Sequence, residues 1–470
     1  MAKITIIGAG PGGYDTAVYA AGKGLDVTII TDGPVGGTCL NEGCIPTKCF
    51  CRNAEVLEEL RRGSEFGVED LSYKFDFGKV LSRKEEVVGQ LRKGVEFLLG
   101  GKDITLVHGK ASLKDEHTVL VDGQEITSDY IIIATGSYSA TLPIPGKDLE
   151  GVLTSREMLD IPEVPKRLVV IGAGVIGLEL ASVFRSFGSE VSVVEFCPTI
   201  LPRFDVDLAK RLRQALVKRG ISIALSAQVQ SITREGDSLR VNYLQKDKEL
   251  FAEGDKVLMA VGRRANMGSL NLADLGIECS KRGVTVDGNM RTNVPNVYAV
   301  GDVTGGIMLA HVATFQGYRA VNDILVREGM ASALPDGRVD GIDLGIVPAA
   351  VFTNPEAATV GLTEEECKDR GIAYKAVKAN FRANGKALSL GEPDGYCKVL
   401  YCTAPSTDSA TGAAVPEGRI LGCHLFGAHA SDIIQEVTAL MNARATISDF
   451  ASVIHAHPTL GEVLSAAARA

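Results

Sequence analysis

The sequence predicts an α/β protein in which one strand–turn–helix–strand unit occurs twice and is followed by a separate C-terminal α/β unit. Three observations support this fold class. β-rich runs at residues 4–7 and 168–171 each lead into a glycine-rich turn, and each turn is followed by a helical pattern and a further strand pattern. A different α/β pattern begins at residue 346. The length of 470 residues, at roughly 150 residues per domain, allows about three domains.

The composition limits the classes of function. Hydrophobic residues make up 45% of the chain and charged residues 23%, which is enough apolar material for large buried cores. The net charge of −9 argues against nucleic acid as a partner, and no apolar run reaches the roughly 18 residues of a membrane-spanning helix. Ten cysteines are too few for a disulfide scaffold, and the N-terminus lacks a signal-peptide pattern. We therefore expect a cytoplasmic protein with mostly reduced thiols and no membrane contact.

Both glycine-rich turns have the spacing of a dinucleotide-binding motif. Their glycines are Gly8, Gly10 and Gly13 in the first turn and Gly172, Gly174 and Gly177 in the second. Such glycines allow a tight turn, the approach of a pyrophosphate to bare backbone, and close packing of the helix on the strand. An ordinary glycine-rich turn is the alternative for either copy alone. Two copies in the same strand–helix context favour two Rossmann-like dinucleotide-binding domains.

The two motifs differ at the position where such folds place an acidic residue for the ribose. Glu195 ends the strand after the second motif, where its carboxylate can accept hydrogen bonds from both ribose hydroxyls and repel a 2′-phosphate, which favours NAD over NADP. The equivalent position after the first motif is Thr31, and the nearest acid is Asp32. There are three alternatives for the first site. Asp32 binds the ribose after a small backbone shift, a water molecule replaces the missing carboxylate, or Asp32 is only a solvated turn residue. The sequence leaves these alternatives open.

The strongest single feature is a cysteine pair after the second strand of the first unit. Cys39 and Cys44 are separated by four residues, and their position places both sulfurs on the side of the sheet where a dinucleotide would lie. If that dinucleotide is FAD, its isoalloxazine end can reach a disulfide here. A zinc pair usually has a two-residue spacing and would need a second Cys/His pair nearby, so no metal site is predicted. Two inert thiols are the other alternative, and Cys49 and Cys51 are expected to be core thiols.

Together these motifs resemble the family of flavin- and pyridine-nucleotide-dependent disulfide oxidoreductases, and the resemblance covers essentially the whole chain. It implies a redox-active disulfide between Cys39 and Cys44, FAD at the first glycine motif, NAD at the second, and a C-terminal α/β domain that forms a homodimer. The implied domains are FAD-binding over residues 1–147, NAD-binding over 148–270, a second FAD-binding or central part over 271–345, and dimerisation over 346–470.

By the same resemblance, further residues surround the flavin. Asp302 is expected to contact the flavin ribitol, and Lys48 to pair with Glu179 near the reactive nitrogen; the alternative for Glu179 is a routine helix charge. The other positions expected to contact FAD or NAD are Gly37, Thr38, Ala111, Ala134, Thr135, Gly136, Gly262 and, along the flavin edge, Met308, Leu309, Ala310 and His311.

The C-terminal segment carries a candidate base. A thiol with a pKa of about 8.5 is mostly protonated at neutral pH, and its thiolate is the nucleophile, so the oxidation of a dithiol requires a proton acceptor. His457 resembles the base of the family and Glu462 the carboxylate that orients it. In the family this pair reaches the disulfide of the other subunit. His455 is the alternative base, although a packing role is preferred for it.

The implied activity is the oxidation of protein-bound dihydrolipoamide with NAD as the final acceptor. The expected partner is a lipoyl domain of a 2-oxo acid dehydrogenase or glycine cleavage complex. Glutathione reduction is disfavoured because Glu195 and Phe196 stand where arginines would bind a 2′-phosphate, and mercuric ion reduction because the chain does not end in a cysteine pair. A subunit that only binds FAD and a partner is the remaining alternative.

Three further features of the sequence carry expectations. Glu42 lies between the two cysteines, where an apolar residue is more usual in the family, and either raises the pKa of a neighbouring thiol or faces solvent. Residues 403–418 are predicted to form a long surface hairpin loop. A helical apolar stripe is predicted to face the core and consists of Val80, Val87, Leu91, Val95 and Leu98.

Overall fold

The structure is a computed structural model, and it describes residues 1–101, 103–268 and 270–470. Strands and helices alternate in its N-terminal part. The strands are β1 (Lys3–Ile7), β2 (Asp26–Thr31), β3 (Ile104–His108), β4 (Ala111–Leu113), β5 (Thr118–Val121), β6 (Gln124–Thr127), β7 (Tyr130–Ile133) and β8 (Ser137–Ser139). The helices are α1 (Pro11–Gly22), α2 (Gly37–Glu42), α3 (Cys44–Arg61) and α4 (Phe77–Leu99).

The first nucleotide fold is a five-stranded parallel sheet. Its strand order is Val297–Ala299, β7, β1, β2 and β3, so a strand from much later in the chain closes one edge. β7 is buried along its whole length, and β1 from its second residue onward. Continuous burial of this kind arises because helices cover both faces of a parallel sheet. The glycine turn and the cysteine pair both follow the carboxyl ends of these strands.

The second nucleotide fold repeats this arrangement. Its elements are β9 (Val152–Leu153), α5 (Ser155–Met158), β10 (Arg167–Ile171), α6 (Val175–Phe187), β11 (Glu190–Val194), α7 (Val206–Lys218), β12 (Ile221–Ala224), β13 (Ala227–Glu235), β14 (Ser238–Gln245), β15 (Lys248–Gly254), β16 (Lys256–Met259) and β17 (Arg263–Ala265). The parallel sheet has the order β12-β11-β10-β16-β9, and β13, β14 and β15 form a separate antiparallel sheet. β17 pairs with β8 and so connects the two nucleotide folds.

The C-terminal part returns to the first fold and then forms a domain of its own. Its elements are β18 (Val297–Ala299), α8 (Ala310–Arg327), β19 (Ala349–Val351), β20 (Ala357–Gly361), α9 (Glu364–Asp369), β21 (Tyr374–Asn380), α10 (Gly385–Ser389), β22 (Tyr396–Cys402), β23 (Ser406–Thr407), β24 (Ala414–Val415), β25 (Ile420–Phe426), α11 (Ala430–Asn442), α12 (Ile447–Ala451) and α13 (Glu462–Ala468). Short 3₁₀ helices span Gly63–Phe66, Gly301–Thr304 and Phe381–Ala383. β19, β20, β25, β22 and β21 form an antiparallel sheet in this order.

This architecture confirms the predicted fold class: two parallel nucleotide folds and a separate C-terminal α/β domain. β23 and β24 pair as the hairpin predicted for residues 403–418. The domain boundaries expected from the sequence stay predictions. Among the residues that the structure describes, no helix has the length and apolarity needed to cross a membrane.

The predicted core face of α4 is partly wrong. Val80 and Val95 are buried, but Leu91 and Leu98 are exposed. The buried face instead runs through Val80, Lys84, Val88, Val95 and Leu99. A lysine is tolerated there because its ammonium donates to the carbonyl of Leu159 at 3.0 Å and pairs with Asp160. An apolar pattern alone does not predict a buried charged residue whose partners lie in another part of the chain.

Candidate active site

The two nucleotide folds and the C-terminal domain enclose one large cleft of about 3220 Å³. This volume exceeds the roughly 300–1,000 Å³ of an ordinary small-molecule pocket, as expected for a site that holds more than one extended ligand. The predicted site residues that line it are Gly8, Gly10, Asp32, Gly37, Thr38, Cys39, Cys44, Lys48, Ala111, Ala134, Thr135, Gly136, Gly172, Gly174, Glu179, Glu195, Gly262, Asp302, Met308, Leu309, Ala310 and His311. His457 and Glu462 lie in the C-terminal segment, outside this lining.

Both glycine turns bring bare backbone to the cleft. Helices α1 and α6 begin after Gly10 and Gly174, and neither helix has a capping side chain at its N-terminus. A Cβ atom on Gly13 would lie 1.8 Å from the carbonyl oxygen of Gly8, so only glycine fits there, and Gly177 is similarly constrained at 2.1 Å from the corresponding oxygen of its own turn. Uncapped backbone N–H groups at a helix start suit a pyrophosphate. The turns therefore fit FAD and NAD.

The strand ends next to the two turns carry different side chains. The carboxylate of Glu195 is buried, and it accepts hydrogen bonds from the backbone N–H groups of Ala173 at 2.5 Å and Cys197 at 2.7 Å. Thr31 is also buried, but its hydroxyl donates to the carbonyl of Gly33 at 3.1 Å. Asp32 is exposed at the rim of the cleft. A fixed carboxylate is thus present only at the second site.

Cys39 and Cys44 lie on two successive helices that bring their thiols together. Cys39 is on α2, and Cys44 is the first residue of α3. Both are free thiols in the structure. The hydrogen bond from the Cys39 thiol, helped by the Lys48 ammonium and opposed by burial, lowers the pKa of Cys44 to about 7. The same bond, together with burial, raises the pKa of Cys39. The pair therefore divides into a proton-bearing Cys39 and a readily ionised Cys44.

The acidic residue between the cysteines is held by an arginine and a threonine. Glu42 forms an ion pair with Arg156, 2.9 Å from carboxylate oxygen to guanidinium nitrogen, and also accepts a weak hydrogen bond from Thr38 at 3.4 Å. The carboxylate that raises the pKa of Cys44 is that of Glu179. Glu42 is thus half-buried and paired with a cation, and its effect on the pKa of the thiols stays a prediction.

Lys48 and Glu179 form the expected ion pair, at 2.9 Å between Nζ and Oε2. Glu179 is almost fully buried, and its other oxygen accepts the backbone N–H of Phe352 at 2.9 Å. Burial by itself would lower the pKa of Lys48, but the adjacent carboxylate outweighs it and the net pKa is raised. A charge that is buried and bonded on both oxygens is not a routine helix charge, so that alternative for Glu179 is excluded.

Asp302 is held at the cleft by groups that the sequence analysis did not select. Its Oδ2 accepts the hydroxyl of Ser137 at 2.5 Å, and Arg263 donates to the same hydroxyl at 2.7 Å. Arg263 directly follows the predicted Gly262, which is the only sequence signal that pointed to it. Phe352 was missed as well, because an aromatic residue after a strand is indistinguishable from ordinary core in sequence.

The two histidines of the C-terminal segment have different environments. His457 is 79% exposed, and its Nδ1 lies 2.9 Å from a carboxylate oxygen of Glu462. Because a carboxylate only accepts, this contact keeps the proton on Nδ1 and leaves Nε2 free to take one. The hydrogen bond from the backbone N–H of Thr459 lowers the pKa of the Glu462 carboxyl group, and the hydrogen bond from the His457 imidazole adds a smaller effect in the same direction. His455 is 9% exposed and bonds to Glu436 at 2.9 Å, which fits the packing role preferred for it.

The potential metal ligands do not gather in one place. In the described part of the chain, no three or more His, Cys, Asp or Glu side chains cluster in a way that could hold a metal ion.

The chain is similar to known proteins along almost its whole length. The family described as pyridine nucleotide-disulphide oxidoreductase matches residues 2–317, and its dimerisation domain matches residues 347–468. The chain is 38% identical to proteins named dihydrolipoyl dehydrogenase from Chlamydia muridarum, which it matches over 97% of this chain and 94% of the other, and from Bacillus subtilis, over 98% and 95%.

A similar solved structure is that of the HOCl-induced flavoprotein disulfide reductase RclA from Escherichia coli, with a TM-score of 0.83, 29% identity, and 99% of each chain covered. The fold, the cleft with its two glycine turns and the full-length similarity lead to one conclusion. The chain belongs to the pyridine nucleotide-disulphide oxidoreductase family and is an oxidoreductase that uses FAD and NAD.

Proposed function

We propose that this enzyme oxidises dihydrolipoamide carried on a lipoyl domain and passes the electrons through a Cys39–Cys44 disulfide and FAD to NAD. The placement of the two cysteines carries the proposal: they lie on successive helices in the wall of the cleft that both glycine turns line, together with the Lys48–Glu179 ion pair. One sulfur can exchange with substrate there while the other faces the flavin site, and the lowered pKa of Cys44 agrees with this division. The names of the 38% identical relatives favour dihydrolipoamide among the possible dithiols. When bound, FAD supplies the two-electron relay to the nicotinamide.

The proposed reaction begins at the substrate thiols. His457 of the partner subunit takes the proton from one of them, and the resulting thiolate attacks Sγ of Cys39 and breaks its bond to Cys44. Cys44 leaves as a thiolate that Lys48 stabilises. His457 releases this first proton to solvent and then takes the proton of the second substrate thiol, whose thiolate attacks the first sulfur, closes the lipoamide ring and releases Cys39. The released Cys39 thiolate takes the second proton from the imidazolium, so one substrate proton ends on Cys39 and the other in solvent. The product state has a protonated Cys39 beside an ionised Cys44, in agreement with their pKa values.

The base is assigned to the partner subunit for two reasons. Within one chain, His457 is mostly exposed and lies outside the cleft that Cys39 and Cys44 line. The C-terminal domain matches the dimerisation domain of the family. In a homodimer of this kind, each active site takes its thiols from one chain and its base from the other.

This assignment is tested with a heterodimer of two inactive chains. Cys44→Ser and His457→Gln are co-expressed with different affinity tags, and the mixed dimer is purified through both tags. Loss of a positioned general base is expected to slow the His457→Gln homodimer by about 10² to 10⁴. The heterodimer has one site in which both residues are native, so about half of the wild-type activity is expected. Flavin absorbance shows that each variant retains its cofactor.

An inactive heterodimer would mean that the thiols and the base act within one chain.

The comparison of NAD with NADP, and of dihydrolipoamide with glutathione, tests the substrate assignment in the same assay. The proposed partner is a lipoyl domain of a 2-oxo acid dehydrogenase or glycine cleavage complex in the cytoplasm. A lipoylated domain should then be a better substrate than free dihydrolipoamide, and equal kcat/KM values for the two would count against a protein partner.

A further inference from the structure

We infer that Phe352 is a positioning residue of the thiol centre: its ring holds the Lys48 ammonium in place, and its backbone N–H holds the Glu179 carboxylate that pairs with that lysine. The inference rests on the proposed function, because it concerns how the flavin-facing thiolate is stabilised. Phe352 directly follows β19 and belongs to the C-terminal domain, whereas Lys48 and Glu179 belong to the two nucleotide folds.

The contacts of Phe352 converge on these two residues. The Lys48 ammonium lies 4.3 Å from the centroid of the Phe352 ring and 2.9 Å from Glu179. The backbone N–H of Phe352 donates to the other carboxylate oxygen at 2.9 Å, and its carbonyl accepts the thiol of Cys51 at 3.4 Å. The backbone of Phe352 is therefore fixed by two hydrogen bonds, and this fixes the position of its ring against the Lys48 ammonium.

The position of Lys48 matters because the groups around Cys44 oppose each other. In the described residues, the Cys39 thiol and the Lys48 ammonium favour its thiolate, whereas burial and the Glu179 carboxylate disfavour it. The ammonium therefore helps only if it stays closer to the sulfur than the carboxylate does. Lysine has a flexible four-carbon side chain, and a single ion pair allows it to move around the carboxylate.

An aromatic ring is suited to restricting this movement. Its face attracts the ammonium through the quadrupole of the ring, but it brings no negative charge and accepts no conventional hydrogen bond. A second carboxylate would also hold the lysine, but it would raise the pKa of the thiol. Simple apolar packing is the competing explanation, since Phe352 also contacts the large core cluster of the second fold. The two explanations differ in whether the aromatic face itself is required.

The test compares Phe352→Leu with Phe352→Tyr. Leucine keeps an apolar side chain and both backbone hydrogen bonds but removes the aromatic face, while tyrosine keeps the face. The enzyme with bound FAD is reduced anaerobically with dithiothreitol, and the long-wavelength charge-transfer absorbance of the Cys44 thiolate is titrated against pH. Because ionisation produces the signal, wild type should gain it as the pH rises through about 7. We expect a midpoint about half to one pH unit higher in Phe352→Leu and an unchanged midpoint in Phe352→Tyr.

A second readout does not depend on the flavin. The rate at which iodoacetamide alkylates Cys44 is measured against pH by mass spectrometry, and its midpoint should shift in the same direction. Phe352→Met is the second non-aromatic variant in case leucine prevents FAD binding. Equal midpoints in wild type and a folded non-aromatic variant, or equal shifts in the tyrosine and leucine variants, would overturn the inference. Because dithiothreitol is the reductant, failure of wild type to oxidise dihydrolipoamide would refute the proposed substrate and leave this comparison intact.

Discussion

The two nucleotide folds of this chain have the same glycine turn but differ in the side chain at the end of the next strand. In both, a glycine turn lets the helix start directly against the strand, and in both the required glycine faces a carbonyl oxygen at about 2 Å from its missing Cβ. At the end of the next strand, however, the second fold has the buried carboxylate of Glu195 and the first has the hydroxyl of Thr31. The proposed pyrophosphate contacts therefore depend on the backbone in both folds, whereas the proposed ribose contact depends on a side chain that differs between them.

The difference matches the demands on the two sites. NAD binds and leaves in every turnover and must be distinguished from NADP, for which a fixed negative charge is effective. For FAD we expect contacts with many of the residues that line the cleft around the first glycine turn, so a single ribose acid should contribute a smaller share of the binding energy. Substitution of a turn glycine should therefore weaken cofactor binding strongly in both folds. Substitution of the acid at the ribose should weaken binding more in the second fold than in the first.

The largest expected effect comes from the paired glycines. Gly13→Ala should prevent stable FAD binding, and Gly177→Ala should leave a yellow protein that a dithiol reduces but that binds NAD at least 100-fold more weakly, because the new methyl group displaces the turn. Flavin absorbance and NAD-dependent reoxidation measure the two outcomes. Gly22→Ala in α1 is the control, since nothing lies within 4 Å of its added Cβ. A normal KM for NAD in Gly177→Ala would contradict the assignment of the second fold.

A smaller effect is expected at the ribose acid of the second site. Glu195→Ala removes an acceptor for the ribose and leaves the backbone N–H groups of Ala173 and Cys197 without their partner. Hydrogen bonds to a charged group contribute roughly 1.5–3 kcal/mol, so the KM for NAD should rise about 10- to 100-fold. The preference for NAD over NADP should fall as well. Steady-state kinetics with both nucleotides measure this, and Glu190→Ala, an exposed position on the same strand, should behave as wild type.

The smallest effect is expected at the first site. If Asp32 replaces the missing acid, Asp32→Asn should weaken FAD binding only about 3- to 10-fold, the value of a single hydrogen bond near the surface. Thr31→Glu in the same chain should restore it. The FAD dissociation constant, measured by titrating the apoprotein, decides between the alternatives. An unchanged constant in Asp32→Asn would identify Asp32 as a solvated turn residue.

The parts of the structure that sequence could predict are those with local requirements. Gly8 and Gly13 are needed by one tight turn, and the cysteine pair lies within a single short segment, so motif and spacing were sufficient. The buried face of α4 could not be predicted in full, because the buried Lys84 depends on partners near residue 160 as well as on its neighbour Glu85. Phe352 and Arg263 were missed for the same reason: each acts on a group from a distant part of the chain. Long-range contacts leave no periodic pattern in the sequence.

The burial of Glu179 limits how the enzyme can move. This carboxylate belongs to the second nucleotide fold, and its bonds to Lys48 and Phe352 extend to the first fold and to the C-terminal domain. A hinge rotation that swung the nucleotide domain outward would break both of these contacts together. The ion pair and the backbone hydrogen bond of Glu179 therefore oppose such a rotation and link the three domains at one carboxylate.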